Sequence, residues 1–74
     1  MSEAIVPKRG DRYISDTDPT QPLFIAVTRV SKNRTWADIK VRTWRTSWTK
    51  RQPLPIPGRR ANWTEQDIVR SQAL

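Results

Sequence analysis

Between residues 36 and 44 the chain alternates. Ala37, Ile39 and Val41 share one parity, while Trp36, Asp38, Lys40, Arg42 and Trp44 share the other. Successive side chains of a strand point to opposite faces. The pattern therefore predicts a strand over residues 35–44 with one apolar face and one face of indoles mixed with cations. The stretch around it, residues 32–60, holds three of the four Trp, nine of the fourteen Lys and Arg residues and one acid, Asp38. If exposed, the second face is a surface suited to a polyanion.

The flanking sequence reads as further short strands. Gly10 and Asp11 supply turn chemistry ahead of a strand over 12–15, with Tyr13 or Ile14 facing the core. Residues 15–22 are a loop, since Asp16 and Asp18 favour Asx turns, Pro19 fixes its φ and Pro22 cannot donate to a ladder. The run LFIAVTRV, residues 23–30, is short and β-branched, which favours a strand. Both parities are apolar at its start, so it is either covered on two sides or bulged. Residues 31–34 form the next corner, where Asn33 is the natural left-handed residue. Residues 45–47 turn the chain into a strand over 48–54.

Prolines at 53, 55 and 57 then exclude a central strand and predict an extended or polyproline II strap, pinned by Leu54 and Ile56. Read as displayed side chains, the same segment resembles an SH3 or WW ligand, but Leu54 and Ile56 suit core anchors better. Gly58 allows the following bend, and residues 61–63 form a last strand. Thr64 caps a helix of one or two turns with acids in its first turn, and Ile68 docks it.

Seventy-four residues make one domain at most, near the size at which a single core is marginally stabilising. The expected division is a flexible arm over 1–8, one β domain over 9–69 and a frayed end over 70–74. The formal charge of +7 falls entirely in residues 32–74, because residues 1–31 sum to zero. Such one-sided charge is the footprint of a nucleic-acid or membrane-surface binder, and also of many small solvated proteins. No run approaches a membrane span and the first ten residues lack a signal-peptide core, so a cytoplasmic protein is expected.

The chain has no Cys and no His. Disulfides, thiolate sites and the commonest general base are therefore absent, and no Ser has an identifiable base, so no enzyme activity is expected. Asp11, Asp16 and Asp18 fall short of an oxygen cage for calcium, and neither a metal nor a cofactor is expected. Arg9-Gly10-Asp11 spells an integrin-type tripeptide but reads as a turn. Asn33 and Asn62 head glycosylation sequons that need a secretory route.

The order GDRY, a polar loop ending in Pro22, LFIAVTRV, a hairpin, ADIKV, a basic strand and a closing WTEQDI resembles small SH3-like barrels of the KOW and Tudor type. In particular it is similar to short basic barrel proteins of actinobacteria and their phages. The resemblance covers roughly residues 9–69. It agrees with what the strands, hairpins and loops themselves predict, an all-β fold, a small strongly bent barrel of four or five short strands with a one-turn C-terminal helix. It also implies a nucleic-acid or protein-interaction module without catalysis, in the host cytoplasm if phage-encoded.

The candidate interface residues are Arg34, Lys40, Arg42, Arg45, Lys50, Arg51, Arg59 and Arg60 for phosphate, and Trp44 or Trp48 for stacking on bases. Trp is highly buried on average, so about two of the four belong in the core, Trp63 first. The first expectation is a nucleic-acid partner, DNA or RNA. The alternative is a protein partner docked on an exposed Trp and Arg patch, since the same residue types dominate interface hot spots.

Overall fold

A computed structural model describes residues 7–15 and 21–72. Five strands and a helix follow in chain order: β1 (Arg12–Ser15), β2 (Leu23–Val30), β3 (Trp36–Arg42), β4 (Ser47–Pro53), β5 (Arg59–Arg60) and α1 (Glu65–Ser71). The strands pair antiparallel in the order β4-β3-β2-β1-β5. The protein is thus a small, mostly β domain with one short helix. No helix among the described residues is long and apolar enough to cross a membrane.

The double apolar parity of β2 is explained by two cores, one on each side of the sheet. Ile25 and Val27 join Tyr13, Ala37, Ile39, Val41 and Ile56 in the larger one. Phe24 packs on the other side with Trp63 and Ile68. The ladder slips at Thr28, because Val27 opposes Ile39 while Arg29 opposes Asp38. This bulge brings Val30 against the larger core and sets Arg29 over the Trp36 ring on the opposite face. Covered on two sides and bulged, β2 satisfies both readings of its sequence.

Neither hairpin corner uses glycine; a hydroxyl organises each one. Ser31 Oγ, buried between β2 and β3, accepts the Thr35 and Trp36 N–H groups at 3.0 and 3.2 Å. It donates to Asn33 Oδ1 at 3.0 Å. The left-handed residue is Arg34, with φ 59°, and not Asn33, whose side chain is engaged as an acceptor. Between β3 and β4, the buried Thr43 Oγ1 accepts from the Arg45 and Thr46 N–H groups at 3.2 and 3.1 Å. Short side-chain hydroxyls replace the backbone freedom that glycine would give.

The strap between the two edge strands is pinned as expected, but its path is bent at residues 54–55 and 57–58 and not extended or polyproline II, because Ile56 turns into the core. Ile56 is buried in the larger core, Leu54 packs against it, and the Leu54 N–H donates to the Thr35 carbonyl at 3.0 Å. Gly58 has φ +91°, and a Cβ there would lie 2.2 Å from the Ile14 carbonyl oxygen. That close approach lets Arg59 and Arg60 pair with β1, so the last strand precedes the expected residues 61–63. Residues 61–63 instead carry Trp63 into the smaller core.

Observed strand ends also differ. β3 stops at Arg42, where Thr43 begins its turn, and β4 starts at Ser47 and closes at Pro53. The helix runs for seven residues, about two turns, the longer of the expected lengths and more than the single turn of the barrel pattern. Its extension past residue 69 follows from Ser71, which is buried and donates to the Ile68 carbonyl at 2.6 Å. At the other end Pro7 is buried and Lys8 closes a turn with Asp11, so these two residues belong to the body as well. The loop residues 16–20, with Asp16 and Asp18, and the arm residues 1–6 lie outside the described residues.

Candidate nucleic-acid interface

The parity of β3 sorts the surface as expected. Ala37, Ile39 and Val41 are buried, and the opposite face carries Trp36, Asp38, Lys40 and Arg42. That face is not uniformly cationic, because charges of both signs meet on it. Asp38 lies opposite Arg51 in the β3–β4 register and accepts from its Nε at 3.1 Å. The Arg51 guanidinium sits 3.7 Å from the centre of the half-buried Trp36 ring. Trp36 is therefore occupied by an arginine of its own chain.

Among the eight cations read from sequence as phosphate contacts, Arg51, Arg42 and Arg60 are held by carboxylates of the described residues. Arg42 forms a two-pronged ion pair with Glu65 at the start of α1. This hydrogen bond, reinforced by the charges of Arg42, Arg12 and Lys40, holds the Glu65 carboxyl below the usual glutamate range. Arg60 Nη2 lies 2.9 Å from Asp11 and 3.5 Å from the Tyr13 hydroxyl. Arg59 sits on the same edge strand, beside the hollow bounded by Trp63 and α1. The two dibasic pairs, Lys50-Arg51 and Arg59-Arg60, occupy β4 and β5, at opposite ends of the strand order.

The remaining sequence candidates are spread over β3, β4 and the corners at either end of β3. Arg45, Trp44 and Trp48 gather around the β3–β4 corner, where both indoles are 41% exposed and Arg45 lies 5.5 Å from the Trp44 ring. Lys50 is exposed on β4, and Lys40 is exposed on β3. Arg34 stands apart, on the β2–β3 corner at the other end of β3. Trp63 fills the core position expected of it at 5% exposure. Its Nε1–H donates to the Ile25 carbonyl at 3.0 Å, and its ring meets Phe24 edge-on.

The sequence reading missed the largest concentration of unpaired charge. The described residues carry all fourteen cations and four acids, Asp11, Asp38, Glu65 and Asp67. Each of those acids is taken by an arginine: Arg60, Arg51, Arg42 and Arg70. Five of the other cations, Lys8, Arg9, Arg29, Lys32 and Arg34, line one open groove of about 750 Å³ with no acid among the described residues that line it. Backbone pairing builds it. The Gly10 N–H donates to the Val27 carbonyl at 2.8 Å, and the Val27 N–H donates to Asp11 at 2.9 Å, setting the 8–11 turn beside the end of β2. The Arg9-Gly10-Asp11 tripeptide is indeed a turn, with Gly10 at φ 93° and Asp11 bonded back to Lys8.

Residues 1–31 sum to zero along the chain, which hides Lys8, Arg9 and Arg29 from a local charge count. The signal lay in continuing the β1–β2 register one turn outward, which brings Lys8 and Arg9 against Arg29 and Lys32. Among the described residues no three His, Cys, Asp or Glu side chains gather as a metal site would require. Compared with family models, with curated proteins and with solved structures, the chain matches none.

Proposed function

We propose that the protein is a non-catalytic nucleic-acid-binding module that works chiefly through phosphate contacts. The observation that carries this reading is the division of its charge. Every described acid is neutralised by an arginine, while five exposed cations, Lys8, Arg9, Arg29, Lys32 and Arg34, cluster along one groove whose described lining holds no acid. Phosphate neutralisation releases counterions, so such a surface gains affinity in proportion to the phosphates it covers. The seven-residue helix is docked by Ile68 and too short to enter a major groove as a reading helix. Binding is therefore weakly selective for base sequence.

We place the module with small SH3-like barrels. Five residues separate Pro53 on one edge strand from Arg59 on the other. A flat sheet of five strands spans about 19 Å between its edges at the usual strand spacing. A fully extended link of this length reaches about 20–22 Å. The link is not extended, since Ile56 turns inward and Gly58 bends, and this supports a sheet curled around the larger core.

A second reading rests on Trp44 and Trp48. Two exposed indoles beside Arg45 on a sheet corner suit docking on a protein as well as stacking on bases. Titration of labelled single- and double-stranded DNA and RNA at low salt, by anisotropy, decides between them. Micromolar or tighter binding that weakens steeply with salt supports the nucleic-acid module. No binding at 20 mM salt refutes it and leaves the protein-docking reading.

A further inference from the structure

We infer that the phosphodiester backbone is held in the groove between the 8–11 turn and the β2–β3 corner, by Lys8, Arg9, Arg29, Lys32 and Arg34. This deepens the nucleic-acid reading and rests on it. Three observations single out this groove from the rest of the basic surface.

The first is the number of like charges. Five cations with no acid in the described lining repel one another, and a single bound phosphate would leave most of that repulsion in place. A chain of phosphates, with a charge at every nucleotide, matches such a row. The groove is also open, which suits an extended polymer better than a small molecule that must be enclosed.

The second is the handling of the nearest carboxylates among the described residues. Asp11 closes the 8–11 turn through the Lys8 N–H, and Asp38 lies opposite Arg29 in the register. Both are held by arginines outside the groove, Arg60 at 2.9 Å and Arg51 at 3.1 Å. Arg51 and Arg60, which the sequence suggests as phosphate ligands, act instead by holding these acids away from the five groove cations.

The third is what the groove lacks. Trp36, the indole nearest to it, lies under Arg51, and Trp44 and Trp48 sit at the far end of β3, about 23 Å away at the usual rise per residue. A backbone seated here meets no free aromatic face. The groove thus binds single strands and duplexes through the same phosphates, without base stacking.

The test compares two charge-removed variants of the full chain. The groove variant is Arg9→Gln, Lys32→Gln and Arg34→Asn, the last chosen because Asn tolerates the left-handed backbone at that position. The corner variant is Arg45→Gln and Lys50→Gln. All five side chains are exposed, and far-UV circular dichroism checks that both variants fold. Affinity for a 20-base-pair duplex and for a single strand is measured from 50 to 200 mM salt.

On duplex, the groove variant should flatten the log–log salt slope by about 2.7, at about 0.9 for each of three lost contacts. The single strand should give a drop of about 2.1, at about 0.7 per contact. The corner variant should leave both slopes within about 0.5 of the parent. If the parent binds, and the corner variant loses the slope while the groove variant keeps it, the groove assignment is overturned and the proposed function stands. Binding by the parent to phosphatidylglycerol vesicles but to neither nucleic acid overturns both.

Discussion

Truncating Trp63 tests the two-sided architecture on which the interface is built. Its ring is 5% exposed, packs edge-on against Phe24 at 5.7 Å, carries the Arg12 guanidinium at 4.8 Å and donates Nε1–H to the Ile25 carbonyl. Removing a buried Trp side chain costs about 3–5 kcal/mol. Domains of this size are stable by only about 4–11 kcal/mol, at the usual contribution per residue. Trp63→Ala should therefore lose about a quarter of the stability or more, and release α1, whose Ile68 rests on the same cluster. Trp63→Phe keeps an aromatic ring beside Phe24 but loses the Nε1–H bond and some volume, for about 1–2 kcal/mol. Trp48→Ala, the same residue type at 41% exposure, should cost within about 0.5 kcal/mol. Urea unfolding followed by far-UV circular dichroism measures all three without relying on indole emission. A loss of less than about 1 kcal/mol for Trp63→Ala, or no difference from Trp48→Ala, would refute the second core.

Two further substitutions address the corners and the helix. Thr43→Val removes the hydroxyl that receives the Arg45 and Thr46 N–H groups, and should cost about 1–2 kcal/mol in thermal or urea melts, while Thr43→Ser should cost clearly less. The Glu65 carboxyl is held below its usual range by Arg42, so its contribution is fully present above the unfolded value of about 4.3 and is lost as pH falls through the lowered folded value. Stability contributed by this pair should thus be flat from pH 7 to 5 and decline only in acid. In Glu65→Gln that acid-linked part of the decline should be missing from the parent's pH–stability curve.

Much of the fold is legible in local sequence because each strand carries its own period. The alternation of Ala37, Ile39 and Val41 against Trp36, Asp38 and Lys40 sets the buried face of β3 without reference to any partner. The double parity of Leu23 to Val27 similarly announces a strand with two neighbouring layers. The proline strap is legible for a steric reason, since alternate prolines leave few paths open to Leu54 and Ile56.

What local patterning misses depends on contacts distant in the chain. The Arg34 left-handed corner arises because Ser31 captures the side chain of Asn33, the residue that would otherwise adopt it. The position of β5 follows from the close approach of Gly58 to Ile14, forty-four residues earlier. The interface shows the same limit. A basic residue's worth as a phosphate ligand depends on the acid beside it, and Glu65 reaches Arg42 across 23 positions while Asp11 reaches Arg60 across 49. Counting charge along the chain favours Arg42, Arg51 and Arg60. Pairing them in space transfers that role to Lys8, Arg9, Arg29 and Lys32, joined by Arg34.

The most direct test of the account is a backbone amide map of the ¹⁵N-labelled protein as a short oligonucleotide is added. The account predicts the largest chemical-shift changes at residues 8–10 and 28–34, with little change at 44–50. Shifts confined to residues 44–50, or none at an oligonucleotide excess in low salt, would contradict it.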